Sequence, residues 1–214
     1  MSSHADMRSV QRPPRRFGMV ATGVTVLILV GVMAWDTTVV PIDAGSEVQG
    51  DQFHANEEFS RIQRDVEERA IAAPDLASAI AEDQAAAGEE YGVPGDAGPV
   101  MPVTFTGVVG EGSSGAYEVD VDGLPEDLTV RLQTGPAING TDLRDAPGDI
   151  EFGQFTNQIE YQDAGSALNE AMKAEVLADI DTSDLTGKTI EVTGVFQLIN
   201  PNNWLVTPVD MSVQ

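Results

Sequence analysis

Between Gly92 and Pro102, in "GVPGDAGPVMP", the sequence switches its hydrophobic period, and that switch limits the folds open to it. Upstream, Phe59, Ile62, Val66 and Ala70 recur at helical spacing across 53–70, with charged residues on the other face. Pro74 breaks that helix and opens a second one as a first-turn residue. Leu76, Ala79, Ile80 and Ala87 form the second apolar stripe, which ends near Gly88 or Gly92. From Val103 the period is two. "VTFTGVV" makes a first strand, with Gly107 expected as a bulge or bend. "AYEVDVD" (116–122), "LTVRLQ" (128–133), "TIEVTGVFQL" (189–198) and, after the turn "NPNN", "WLVTPVDMSV" make four more. Between strands three and four, Leu168, Met172, Val176 and Ile180 fall every four residues and predict a helix. Three strands, a helix and a closing hairpin are the order of an OB-type barrel. The expected class is α+β: two short helices over 53–92, then a five-stranded OB-like small barrel over 93–214. The alternative is another small α+β sandwich.

The amino end reads differently. Gly18 to Trp35 is an uncharged apolar run, near the lower limit of ~17–25 residues for a spanning helix. Residues 1–17 form a basic tail, with Arg8, Arg12, Arg15 and Arg16 against Asp6, a net of +3. The net charge of the whole protein is −24, so the rest holds −27. The positive-inside rule keeps the tail in the cytoplasm and puts residues 36–214 outside. The expectation is a single-pass inner-membrane anchor over 18–35, a linker over 36–52 punctuated by Pro41, Gly45 and Gly50, and a periplasmic domain. A cleaved signal peptide is the competing reading, since "VMA" at 32–34 offers small residues for cleavage, although the apolar run exceeds the ~7–15 residues usual for a signal. Both readings place the working domain outside the cytoplasm.

A domain this acidic repels phosphate backbones, so nucleic acid is excluded as its partner. No cysteine occurs among the 214 residues, which removes disulfides, thiolate metal sites and a cysteine nucleophile. Two histidines, His4 and His54, leave little imidazole for catalysis or metal binding. "EVDVDG" (118–123) imitates the start of a calcium loop, but the position that needs a bidentate Glu is Thr129, and strand alternation explains the acids. Neither metal nor cofactor is expected.

The densest polar chemistry lies in "TGPAINGTDLRDAPGDIEFGQFTNQIEY" (134–161). A turn at Asn139-Gly140 leads into one helical turn, which Asp142 can cap and Pro147-Gly148 ends. Arg144 lies between Asp142 and Asp145, and its fork suits a carboxylate pair that holds the loop against the barrel. That is the structural reading. In the functional one, Asp142, Arg144, Asp145, Asn157, Gln158 and Glu160 converge at the barrel mouth beside Phe152, Phe155 or Tyr161. Mixed donors and acceptors over an aromatic floor suit a sugar or polyol. Asn157 and Gln158 would then be the ligand contacts and Arg144 the organiser. The loops Gly110–Gly115 and Asn200–Trp204 would rim the mouth, with Trp204 as a contact.

This segment, extended through "QDAGSALN", resembles the signature of the bacterial family called domain of unknown function 2291. The resemblance runs through "DLASAIAEDQAAAGEEYG", "GKTIEVTGVFQL" and "LVTPVDM". It implies a periplasmic lipoprotein or anchored protein, often encoded beside ABC-type sugar importers, with no established activity. The sequence departs from the lipoprotein pattern in having no cysteine to acylate, so attachment is expected through the 18–35 helix. The implied partners are the inner membrane, a sugar ABC transporter component or a small carbohydrate. Three function classes follow: a tethered accessory binding module serving carbohydrate uptake, a purely structural envelope protein, and a glycoside hydrolase using carboxylates such as Asp142, Asp145 or Glu160.

Overall fold

The structure, a computed structural model, describes residues 53–214. The expected tail, anchor and linker (1–17, 18–35, 36–52) lie outside the described residues. Among the described residues no helix is long and apolar enough to cross a membrane.

The elements run α1 (Ala55–Arg69), β1 (Ile71–Ala72), α2 (Ala73–Glu82), α3 (Gln84–Tyr91), β2 (Val100–Ser113), β3 (Ala116–Asp120) and β4 (Thr129–Gln133). A one-turn α4 (Asp142–Asp145), a 3-10 turn (Phe152–Gln154), α5 (Gln158–Met172) continued by a π-helical turn (Lys173–Leu177), β5 (Thr189–Gln197) and β6 (Asn203–Val213) complete the fold. Five strands close on themselves in the order β2-β3-β4-β6-β5, with β5 returning to β2. β2, 14 residues long, serves both of the barrel strands beside it. Val100–Val108 pairs antiparallel with β5, and Val108–Ser113 with β3. β4 and β6 run parallel, which the α5 crossover makes possible. This is the expected OB-type order.

Three expectations about strands and helices are corrected. The sheet has six strands, because β1 adds two residues in parallel to β2 at Val103 and Thr104. Two residues carry no period, so nothing in the alternation announces them. The second helix is two helices: Asp83 is extended and its side chain accepts from the N–H groups of Ala85 and Ala86 at 3.0 and 3.1 Å, starting α3 afresh. Gly107 is not the bulge. Its pairing with Ile190 is regular, and the register shift in β2 falls between Val109 and Gly112. Gly107 is needed because a Cβ there would lie 2.6 Å from the Asp120 carbonyl oxygen, where β3 crosses closely.

α1 lays Phe59, Ile62 and Val66 against the barrel and α5. It is pinned by Gln63 Nε2 donating to the Val209 carbonyl at 2.7 Å and by Arg61 paired with Asp149 at 2.9 Å. β6 is therefore buried on both faces from Val206 to Val209. Trp204 is fully buried, stacked on Phe196 at 4.5 Å, with its indole N–H donating to the Pro201 carbonyl. It is core, not the expected contact at the barrel mouth.

Candidate functional site

The 134–161 segment is positioned by α4, by the start of α5 and by β6. Thr141, not Asp142, occupies the cap position of α4, and its hydroxyl donates to Asp145 Oδ2 at 2.6 Å. Asp145 Oδ1 accepts from Arg144 Nε at 2.8 Å, and Arg144 Nη2 lies 2.8 Å from the same oxygen as an ion pair. The arginine is only 3 % exposed. Its guanidinium lies 3.7 Å over the Tyr161 ring, and Nη1 donates to the Tyr161 carbonyl at 3.4 Å. A buried cation with a carboxylate, a π face and a carbonyl has its desolvation offset. The fork thus ties the loop to α5, not to the barrel as the spacing of charges had suggested.

Asp142 makes the barrel contact. Its Oδ2 accepts from the Thr207 hydroxyl at 3.1 Å, and Thr207 in turn accepts from Gln133 Nε2 at 2.8 Å. Burial pushes the Asp142 carboxyl up to about 6, the Thr207 hydrogen bond pulls against it, and Asp145 adds to the rise. Asp142, Arg144 and Asp145 are therefore brought together.

The other three candidates stand at the start of α5. Asn157 Oδ1 accepts from the N–H groups of Ile159 and Glu160 at 2.9 and 3.1 Å. Glu160 Oε2 reaches back to the Thr156 N–H at 2.9 Å. This is a capping arrangement, and Asn157-x-x-Glu160 is its sequence signal. Gln158 is exposed. Of the aromatics, Phe155 and Tyr161 are half-buried at 5.3 Å from each other, and Phe152 is exposed and edge-on to Tyr161. The polar groups of the segment are largely engaged with one another.

An open surface lies elsewhere. A cleft of about 650 Å³ is lined by Gln84, Ala85, Gly88, Glu89, Pro94 and Pro99 together with Gly92, Gly95 and Gly98. Its walls are α3 and the 92–99 connection, which reads in the sequence only as a boundary. The glycines are structural there: a Cβ on Gly88 would lie 2.8 Å from Pro99, and one on Gly98 would lie 2.7 Å from the Leu198 carbonyl oxygen. The Gly/Pro density of 92–99 was the available signal. Among the described residues, no group of three or more His, Cys, Asp or Glu side chains is arranged to hold a metal ion.

A family model described as predicted periplasmic lipoprotein, domain of unknown function 2291, matches residues 23–212. Among solved structures, an OB-fold protein from Thermotoga maritima is similar with a TM-score of 0.59 at 18 % identity, over 75 % of this protein and 96 % of that one. At that identity the likeness shows the fold alone. Among curated proteins none matches.

Proposed function

The chain belongs to the family of predicted periplasmic lipoproteins called domain of unknown function 2291, and from that premise we propose a binding module without catalysis, tethered outside the inner membrane and serving carbohydrate uptake by contact with a partner protein. The observation that carries the choice of a protein partner is the cleft beside α3. Its volume falls within the ~300–1,000 Å³ of ligand sites, but its walls are Ala, Gly and Pro, with Gln84 and Glu89 as the polar side chains. A sugar needs many paired donors and acceptors, whereas an extended apolar peptide needs flat walls and backbone groups. The tether proposed is residues 18–35, since none of the 214 residues is a cysteine that could hold lipid. The link to sugar uptake rests on the family resemblance, and a sugar importer component is the partner it suggests.

A small carbohydrate at the 134–161 segment is the second reading, favoured by the exposure of Phe152, Gln154 and Gln158. A glycoside hydrolase is less well supported, because Asp145 is held by Arg144 and Thr141 and Asp142 by Thr207. A purely structural role needs no open surface at all.

Thermal unfolding of the protein against pentoses, hexoses and polyols separates these readings. A sugar at about 100 times its dissociation constant adds ~2.7 kcal/mol. The protein-partner reading expects a flat panel, and expects Ala85→Trp to fill the cleft without lowering Tm while abolishing capture of the importer's extracytoplasmic component. A sugar shift lost in Asn157→Ala would instead make 134–161 the site. One lost in Ala85→Trp would make the cleft a sugar site.

A further inference from the structure

Of the seven asparagines in the sequence, Asn139 is the one followed by glycine. It is exposed, in a stretch without regular secondary structure. Among the described residues the Gly140 N–H donates to no backbone carbonyl. The space at Gly140 is open as well: the atoms nearest to where a Cβ would stand are those of the Asp142 carboxylate, at 3.8 to 3.9 Å. A backbone nitrogen that is unshielded and free of a hydrogen bond is the nucleophile that intramolecular imide formation needs, and glycine gives it the conformational freedom to approach.

We infer that Asn139-Gly140 is a self-modification site whose product releases the 138–141 loop from α5. The Gly140 nitrogen bonds to Asn139 Cγ, the bond from Cγ to Nδ2 breaks, and the amide leaves as ammonia with the proton taken from Gly140. Water then opens the cyclic imide at one carbonyl or the other, giving aspartate or isoaspartate at 139. Nothing is oxidised or reduced.

The neighbouring geometry makes the isoaspartate product consequential. Asn169 on α5 is 4 % exposed, and its Nδ2 donates to both the Ile138 and the Gly140 carbonyls, at 3.4 and 3.1 Å. Those two carbonyls flank residue 139. Isoaspartate inserts a methylene into the backbone between them, and one amide nitrogen no longer spans both. A buried amide that loses a partner costs the desolvation of the group left unpaired. The loop between β4 and α4, which brings Asp142 to its Thr207 contact, is then no longer clamped.

The test incubates the full 214-residue protein in mildly alkaline buffer at physiological temperature, native and in urea, with peptide mapping for the amide-to-acid mass increment and for isoaspartate. The native protein is expected to convert at Asn139 at a rate within roughly tenfold of the unfolded one, equivalent to ~1.4 kcal/mol of barrier. The isoaspartate fraction is expected to unfold at lower temperature, with faster amide exchange over 138–141. Asn139→Gln, whose ring closure is slower, stays unmodified and keeps Tm. Asn139→Asp brings the charge without the methylene and also keeps Tm. Conversion seen only in urea would overturn the inference, and so would an isoaspartate fraction that unfolds with the native one.

Discussion

At the scale of single residues, the 134–161 segment divides its charges unequally. One arginine stands between two acids, and the sequence shows that it will pair without showing which acid it takes. The structure gives Asp145 to Arg144 and leaves Asp142 with a hydroxyl. A carboxyl that is buried and not paired with a cation favours its neutral form, and Asp142 sits at about 6 in place of 3.8. In the unfolded state it ionises first, so between those values the native state binds more protons. The Asp142 contribution to stability is therefore full below about pH 4, falls as pH rises to about 6, and is flat above. The shift is worth roughly 3 kcal/mol. Asn at 142 keeps an acceptor for Thr207 and has nothing to titrate. In urea titrations from acid to neutral pH, Asp142→Asn is expected to gain on the parent protein across that window and to hold a constant advantage above it. A difference independent of pH would mean that Asp142 is hydrated in the native state.

At the scale of elements, two caps decide where helices begin, and both mark places where hydrophobic period says little. The apolar stripe read at Leu168, Met172, Val176 and Ile180 located the helix but not its ends: α5 stops at Met172 and passes into a π-helical turn over Lys173–Leu177, and its first turn is not apolar-striped, since Ile159 is 71 % exposed. Asn157 and Glu160 therefore read as ligand chemistry, although together they start the helix. Asp83 hid in the same way inside what looked like one stripe from Leu76 to Ala87. A side chain that satisfies two orphan N–H groups can outweigh continuity of a helix when the break leaves both apolar faces buried. Asn157→Ala and Asp83→Ala are each expected to cost about 1 kcal/mol, within the usual range of ~0.5–2 for a lost cap. They lie on separate helices, so the double variant should lose the sum. Denaturant midpoints at unchanged m-value measure this. If Asn157→Ala costs nothing, the side chain is free for a ligand after all and the sugar reading of 134–161 gains.

At the scale of the whole molecule, the barrel was legible because its strands alternate and their order, three strands then a helix then a hairpin, admits few closures. β1 was not, because two residues make no pattern. The cleft was not, because glycines and prolines signal a boundary equally well when they line a surface. Net charge is the property that belongs to no element. Thirty-five acids against 11 bases leave −24, and the described ion pairs mostly join neighbours along one helix, such as Arg69–Asp65 and Lys173–Glu170. Arg61–Asp149 is the long-range exception, and both of its side chains are more than a third exposed. Pairs of that kind contribute ~0–1 kcal/mol and cannot offset repulsion summed over the surface. Compaction brings the acids closer, so the folded state bears more of that repulsion than the unfolded one. Raising the ionic strength shortens the screening length from ~30 Å at 0.01 M to ~3 Å at 1 M. The protein is therefore expected to gain stability with added NaCl, most steeply at low salt, while the Asp142→Asn advantage, set by burial, changes little. KCl at equal ionic strength should match NaCl, because screening does not distinguish the cations. A gain confined to one cation would point to a bound ion and remove repulsion as the cause.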